Sequence, residues 1–219
     1  MKHIKTWPVG TVPDWMIRRL LRHYHDQQSY DHNFGGQDKR GVPPTQAEMP
    51  ELYAFLEALG YDADPSTLSG NYFETNMPYP IHADTSKNEH FSLDYTVFLI
   101  PLSLEEQSHS YLFLLDQEWM GQAATLTGQR WPQGWNELVT DYNDPRLVGR
   151  IPDEFDHRLA TALELPFSGT TLEGMSVDTI YRWRVGSMIS FPCNKLHFSI
   201  TKASLPKIGL SLRMLPRRI

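Results

Sequence analysis

The chain has 219 residues, 40% hydrophobic and 21% charged, which is typical of a globular protein that folds as a single domain, 1–219. Its formal net charge of −6 at pH 7 argues against nucleic acid as a partner, because binding a phosphate backbone needs a basic surface. No run approaches the roughly 18 apolar residues of a membrane helix. Residues 1–10 lack a signal peptide's apolar stretch, and the single Cys193 cannot form an internal disulfide. We therefore expect a cytoplasmic protein with no membrane association.

Residues 1–69 are expected to form a helical layer. Apolar residues recur at helical spacing from Pro13 to Gln28, which predicts a first amphipathic helix. A second helix is predicted from Gln46 to Leu59, with Gly60 as its C-terminal cap. Between them, the segment from Ser29 to Pro44 contains adjacent glycines and adjacent prolines and is expected to be a loop.

The character of the sequence changes after residue 69. Short segments rich in aromatic and β-branched residues alternate with turn residues, a pattern that predicts strands. Helices followed by a run of strands indicate an α+β fold, mainly β, with the strands in a sandwich or jelly roll. Eight strands are predicted, at Asn71–Thr75, Tyr79–Ala83, Ser92–Leu102, Tyr111–Asp116, Thr179–Val185, Ser187–Phe191, Lys195–Thr201 and Lys207–Leu215.

A long insertion interrupts the strands. The segment from Glu118 to Asp178 is rich in Gly, Pro and Trp and contains one helical pattern, near Asp153 to Leu163. It is too long for a plain loop, and it divides the predicted β core into 70–117 and 179–215. Excursions from a β scaffold often carry substrate-recognising residues, so the insertion is a candidate substrate lid; a structural flap is the alternative.

Three residues on the predicted strands form a candidate metal site. His82 and Asp84 are two apart, so on a strand both can face one cavity, and His197 lies on a distant predicted strand. Two imidazoles and one carboxylate leave three positions of an octahedral ion open, as in non-haem Fe(II) oxygenases. The alternative interpretation is structural, with Asp84 starting a turn and His197 bonded within the core.

A candidate anion-binding residue follows on the next strand. Lys207 lies ten residues after His197, and a tight turn at 204–206 would join two antiparallel strands and return Lys207 toward the metal end. A solvated lysine is the alternative. Arg213 has the same strand parity as Lys207 but lies about 20 Å farther along the strand.

These residues and the closing stretch GSMISFPCNKLHFSITKASLPKIGLSLRM resemble the Fe(II)- and 2-oxoglutarate-dependent oxygenases, over about Gly70 to Met214. The absence of the family's frequent Arg-x-Ser makes the chain similar to the prolyl-hydroxylase-like branch with a lysine as carboxylate partner. The resemblance implies a double-stranded β-helix (jelly roll, cupin-like) with N-terminal supporting helices. It also implies that Tyr72, ten residues before His82, or Tyr95 lies near the co-substrate.

The resemblance implies a dioxygenase that hydroxylates an unactivated C–H of a small molecule, amino acid or peptide and releases succinate and CO2. Its cofactors would be Fe(II), held by His82, Asp84 and His197, with 2-oxoglutarate as co-substrate and O2. Lys207 would bind the C5 carboxylate, with Arg213 as the competing residue. Two other functions stay open: a cupin-type metalloenzyme that does not use 2-oxoglutarate, and a non-catalytic jelly-roll module that binds carbohydrate. The sequence indicates no oligomeric state.

Overall fold

In a computed structural model of the chain, the described residues are 4–31, 38–76, 79–84, 95–106, 108–118, 177–202 and 205–217. They form two helices, α1 (Asp14–Asp26) and α2 (Pro50–Ala58). They also form twelve strands: β1 (Lys5–Trp7), β2 (Tyr30–Asp31), β3 (Asp38–Gly41), β4 (Tyr61–Asp62), β5 (Ser69–Thr75), β6 (Tyr79–His82), β7 (Thr96–Ser103), β8 (His109–Glu118), β9 (Val177–Arg182), β10 (Met188–Pro192), β11 (Lys195–Lys202) and β12 (Lys207–Pro216).

The strands form two antiparallel sheets. The major sheet has the order β1-β10-β7-β12-β5-β3-β2, with β4 also paired to β12, and the minor sheet has the order β6-β11-β8-β9. All eight predicted strands are present, with bounds shifted by a few residues. The expectation of a mainly β protein with N-terminal helices is confirmed.

Strand alternation gives the major sheet two different faces. One face packs under the helices, where Met16 and Leu20 of α1 join Phe98 and Leu210 in one buried cluster. The other face meets the minor sheet, and a second cluster there contains Leu99 and Phe191 of the major sheet with Leu112 and Leu114 of the minor sheet. Because successive side chains on a strand point to opposite faces, β7 and β12 contribute to both layers.

The second helix is shorter than predicted. It begins at Pro50, a residue type suited to the first helical position because it has no N–H to leave unsatisfied. The preceding turn is closed by Thr45, whose backbone N–H and hydroxyl both donate to the Glu48 carboxylate at 2.7 and 2.8 Å. At the other end, Gly60 has a φ of +89°, a conformation that glycine adopts without steric cost.

The prediction of a loop from Ser29 to Pro44 is wrong in part. Residues 30–31 and 38–41 are strands β2 and β3, and β3 pairs with β5 from Asp38↔Thr75 to Gly41↔Tyr72. The short strands β1 and β4 were not predicted either. All four are edge or near-edge strands of two to four residues, too short to show an alternating pattern.

The insertion lies almost wholly outside the described residues. Strand β8 ends at Glu118 and β9 begins at Val177, so the predicted helical segment near Asp153 to Leu163 and the candidate lid lie outside them. Among the described residues, no helix combines the length and apolar character that a membrane crossing requires.

Buried tyrosines make the fold sensitive to alkali. Burial raises the pKa of Tyr24 and Tyr72 above its ordinary value near 10, and raises the pKa of Tyr181 to about 12. Above pH 10 the unfolded chain therefore loses protons that the native protein retains, so the free energy of unfolding falls as pH rises.

We expect urea unfolding to show this fall between pH 10 and 12, with Tyr181→Phe making it shallower by about 1 kcal/mol per pH unit. The same pH dependence in both proteins would contradict the assignment of Tyr181 to this effect.

Candidate active site

His197 and Asp84 face each other at one end of the space between the sheets. The His197 Nε2 atom lies 3.6 Å from Asp84 Oδ2, and the two side chains are only 4% and 12% exposed. His197 stands on β11, in the middle of the minor sheet, whereas Asp84 follows the end of β6. The structure therefore brings together two of the three predicted metal ligands.

A hydrogen bond at its other ring nitrogen orients the imidazole of His197. Its Nδ1 lies 2.9 Å from the Lys195 carbonyl oxygen, which can only accept, so Nδ1 carries the hydrogen. The lone pair of a neutral ring is then on Nε2, the atom that faces the carboxylate. Ligating histidines are commonly oriented by a bond of this kind at their second nitrogen.

The third candidate ligand, His82, is placed by its backbone. His82 pairs directly with His197 across β6 and β11, so the two residues stand at the same level of the minor sheet. The side chain of His82 lies outside the described part of the structure. Accordingly, the described side chains contain no cluster of three His, Cys, Asp or Glu residues able to hold a metal ion.

The described pair fits a metal ion. Two ligands at about 2.1 Å on adjacent octahedral positions lie about 3 Å apart, close to the 3.6 Å between His197 Nε2 and Asp84 Oδ2. The donor set of imidazole nitrogen and carboxylate oxygen suits Fe(II). Both ligands also lie at one end of a cavity that opens between the sheets.

The backbone around Asp84 is fixed by two hydrogen bonds. The Asp84 N–H donates to the Cys193 carbonyl at 2.9 Å, and the Cys193 N–H donates to the Tyr95 carbonyl at 3.1 Å. The end of β6 is thereby tied to the turn between β10 and β11. Cys193 itself is buried, and it is the single cysteine of the sequence.

Lys207 lies at the other end of the same cavity and is 2% exposed, so the interpretation as a solvated lysine is wrong. Its Nζ donates to Ser110 Oγ at 2.9 Å and stands 4.8 Å from the centre of the Trp183 ring. Ser110 Oγ in turn lies 3.0 Å from Thr201 Oγ1. A hydroxyl pair and an aromatic face thus hold the ammonium group between the sheets.

The turn prediction supposed that the strands carrying His197 and Lys207 pair with each other, but they do not. Strand β11 belongs to the minor sheet and β12 to the major sheet, so the two residues lie on opposite walls of the cavity. Ser110, the partner of Lys207, pairs with Thr201, four residues beyond His197 on β11. That is about 13 Å along the strand, so Lys207 turns away from the metal end.

Gly209 makes room for an aromatic pair in the middle of the cavity. A Cβ at this position would lie 2.5 Å from Phe73 Cζ and 2.7 Å from Trp183 Cη2. The two rings pack edge to face with centroids 5.7 Å apart. The missing side chain of Gly209 therefore lets Phe73 and Trp183 meet beside Lys207.

Tyr72 does not point into the cavity, which corrects the expectation that it lies near the co-substrate. Its neighbours Asn71 and Phe73 line the cavity, so alternation sends Tyr72 to the opposite face of β5. There it is fully buried under the helices, with its ring 5.3 Å from that of Tyr24.

Tyr95 is half-buried and packs against the cluster between the sheets, but it is not one of the described residues that line the cavity. Its carbonyl serves the turn that holds Asp84, as described above. Arg213 does line the cavity, on the same wall as Lys207, as its parity predicted.

Comparison with solved structures identifies the fold. HygX from Streptomyces hygroscopicus, solved with nickel and 2-oxoglutarate bound, aligns with 98% of this chain and 83% of its own at 12% identity and a TM-score of 0.51. The non-heme alpha ketoglutarate dependent epimerase SnoN from nogalamycin biosynthesis aligns with 98% of this chain and 78% of its own, at 12% identity and a TM-score of 0.54. The chain has the jelly-roll fold of these proteins.

A third jelly-roll structure gives the same result. The non-heme alpha ketoglutarate dependent carbocyclase SnoK from nogalamycin biosynthesis covers 98% of this chain and 79% of its own, at 11% identity and a TM-score of 0.51. No protein-family model and no curated protein matches the sequence.

Sequence reasoning missed several residues that line or support the cavity of this jelly roll. Arg40 lies in the segment predicted as a loop, so no strand parity was assigned to it. Ser110 shares strand parity with the buried Leu112 and Leu114 of β8, but Phe113 and Leu115 are apolar and buried as well, so no alternating pattern marked the inward face. Trp183 follows Tyr181 at strand spacing just beyond the end of β9, and both are buried.

The close fit around Gly209 gives a test of this arrangement. Gly209→Ala is expected to lower the free energy of unfolding by about 1–3 kcal/mol, because the new methyl group must displace Phe73 or Trp183. Adding Phe73→Leu to the Gly209→Ala variant should recover part of the lost stability, because it removes the ring atom that the new methyl group meets. A double-mutant cycle of urea unfolding free energies measures this coupling.

Gly60→Ala is the matched control, since nothing lies within 4 Å of its Cβ position and its cost comes from backbone strain alone. Additive effects of Gly209→Ala and Phe73→Leu would contradict the contact.

Proposed function

We propose that the protein is an Fe(II)- and 2-oxoglutarate-dependent oxygenase in which His82, Asp84 and His197 hold the iron and Lys207 binds the co-substrate's C5 carboxylate. The observation that carries this proposal is a single cavity with a histidine–aspartate pair at one end and a buried lysine at the other. The solved structure of HygX with nickel and 2-oxoglutarate bound, which shares the fold, supports the choice of co-substrate.

The dimensions of the cavity suit 2-oxoglutarate. Its two carboxyl carbons are roughly 5 Å apart when the five-carbon chain is extended. Adding a metal–oxygen contact of about 2 Å and a hydrogen bond of about 3 Å gives roughly 10 Å from metal to ammonium. Ser110 accepts a hydrogen bond from Lys207, and the levels of His197 and Ser110 differ by about 13 Å along the strand. This is slightly more than the roughly 10 Å that the co-substrate needs, and a change in the lysine side chain's conformation can make up the remainder.

Lys207 is better placed than Arg213 to bind the C5 carboxylate. Its ammonium is already oriented by Ser110 and by the Trp183 ring, at the level of the cavity away from His197 and Asp84. The buried Trp183 Nε1 makes no hydrogen bond with described residues, so it is a further donor at this end. A carboxylate that loses its hydration here needs such charged and N–H donors.

When bound, the iron would use O2 to convert 2-oxoglutarate to succinate and CO2, placing one oxygen atom in succinate and the other on the substrate carbon. The protein's own residues would hold the ligands and orient the co-substrate, and the apolar lining residues Phe73, Leu99 and Leu112 would help to exclude water. Hydroxylation of an unactivated C–H of a small molecule is the outcome that we propose, with amino acids and peptides as further substrate classes.

The buried position of Lys207 favours this function over a cupin-type enzyme without 2-oxoglutarate, which would not need a cation in the cavity. The tryptophans that could serve a carbohydrate-binding module, Trp119, Trp131 and Trp135, lie outside the described residues. A cytoplasmic location remains part of the proposal.

Anaerobic addition of Fe(II) and 2-oxoglutarate should produce the visible charge-transfer absorption of the metal–oxo-acid chelate, and air should then yield succinate. Asp84→Ala and His197→Ala are expected to abolish the band, because each removes a ligand of the iron. A wild-type protein that gives neither the band nor succinate would refute the proposed function.

Lys207→Gln should raise the Kd for 2-oxoglutarate by about tenfold to a hundredfold, because it removes a charge-assisted hydrogen bond. Fe(II) affinity should be unchanged, since Lys207 lies away from the metal ligands. Lys39→Gln, on β3 but not lining the cavity, is the control and should leave the Kd unaltered. An unchanged Kd in Lys207→Gln would move the carboxylate site elsewhere.

A further inference from the structure

Cationic side chains outnumber acidic ones among the described residues that line the cavity. Besides Lys207, the described residues that line it include Arg40 and Arg213, which are 9% and 8% exposed. Asp84 is the only acidic residue among the described lining residues. A divalent iron and a 2-oxoglutarate dianion would cancel each other, so the described walls would still carry a net positive charge.

Arg213 stands at the level of the metal ligands. It pairs with Val97 across β12 and β7, and Val97 pairs with Phe191 across β7 and β10. The Phe191 ring lies 4.8 Å from the His197 ring, measured between centroids. The register of three neighbouring strands therefore carries the level of Arg213 to the His197 end of the cavity.

Arg213 and Lys207 are too far apart to share one carboxylate. They stand six positions apart on β12, so their Cα atoms are about 20 Å apart at the strand rise. If Lys207 binds the C5 carboxylate, Arg213 lies on the cavity wall beside the metal, at the level where the substrate has to place its reacting carbon.

The wall around Arg213 is polar. Ser69 pairs directly with Arg213, and its buried hydroxyl makes no hydrogen bond with described residues. The next inward-facing pair on the same strands is Asn71 and Ser211, and both line the cavity. A guanidinium flanked by hydroxyl and amide groups is suited to an oxyanion, which accepts several hydrogen bonds at once.

We propose that Arg213 binds an oxyanion group, carboxylate or phosphate, of the substrate that the enzyme oxidises, with Arg40 adding positive charge to the same cavity. The substrate class is then an anionic small molecule, held by its charged group while a C–H lies near the metal. Leu99 and Phe73 line the same cavity and offer apolar contacts to the carbon skeleton. This inference rests on the proposed function, because it assigns a substrate to that site.

The test uses the anaerobic protein loaded with Fe(II) and 2-oxoglutarate, with benzoate, phenyl phosphate and neutral benzamide as probes in calorimetric titrations. Benzoate or phenyl phosphate should bind at least about tenfold more tightly than benzamide, as expected for a charge-assisted bidentate contact. Whichever anion binds more tightly distinguishes a carboxylate site from a phosphate site.

Arg213→Gln should remove this preference and change the Kd for 2-oxoglutarate by less than about threefold, whereas Lys207→Gln should do the reverse. Arg213→Lys keeps the charge but loses the planar fork, so it should weaken anion binding several-fold while benzamide binding stays unchanged. If Arg213→Gln does not fold, as judged by its circular dichroism spectrum, Arg213→Lys decides, and unchanged anion binding in it overturns the proposal.

Three other results would overturn the proposal. The wild-type protein could show no preference for either anion, or the preference could survive Arg213→Gln, which would place the anion on the metal or elsewhere. Arg213→Gln could also weaken 2-oxoglutarate as strongly as Lys207→Gln does, which would make Arg213 a co-substrate residue. Failure of the proposed function is a separate result, since it shows as a missing charge-transfer band in the wild-type protein.

Discussion

The burial of the Lys207 ammonium between two sheets is the constraint on which the cavity depends. An ammonium moved out of water costs several kcal/mol unless neighbouring groups compensate. Ser110 supplies a hydrogen-bond acceptor and Trp183 supplies the face of its ring. Both belong to the minor sheet or its margin, so the lysine of the major sheet ties the two walls together.

Several features of the fold follow from this contact. Trp183 can reach over the major sheet because Gly209 has no side chain, and Phe73 completes the aromatic pair. The cavity thereby has a cationic end at Lys207 and a metal-ligand end at His197 and Asp84, about 13 Å apart in strand level. The function that we propose needs this separation, because the co-substrate would have to reach the metal with one carboxylate and an anchor with the other.

Much of this arrangement could be predicted from the sequence, because the parity of a strand is a local property. Aromatic and β-branched residues predicted the strands that carry His82 and His197, and Asp84 follows the first of them; the contact between Asp84 and His197 is shown by the structure alone. The shared face of Lys207 and Arg213 was also readable, since both lie on one long strand. Which sheet each strand joins was not readable, and so the turn after β11 was misjudged as a hairpin.

The residues that were misassigned or missed depend on long-range pairing. The resemblance implied that Tyr72 or Tyr95 lies near the co-substrate, yet the face of β5 is set by its pairing with β12, where Lys207 is opposite Thr75. Arg40 lies in a four-residue strand that exists because β5 offers it an edge. Trp183 lies beyond the end of its strand, and its place in the site shows only in its contacts with Lys207 and with the position of Gly209.

The most direct test of this account is an anaerobic crystal structure with Mn(II) in place of Fe(II) and with 2-oxoglutarate bound. The account predicts an anomalous peak about 2.1 Å from His197 Nε2, from an Asp84 carboxylate oxygen and from a ring nitrogen of His82, with the C5 carboxylate on Lys207 Nζ. A metal peak away from His197 and Asp84, or a C5 carboxylate bound at Arg213 with Lys207 still on Ser110 alone, would contradict it.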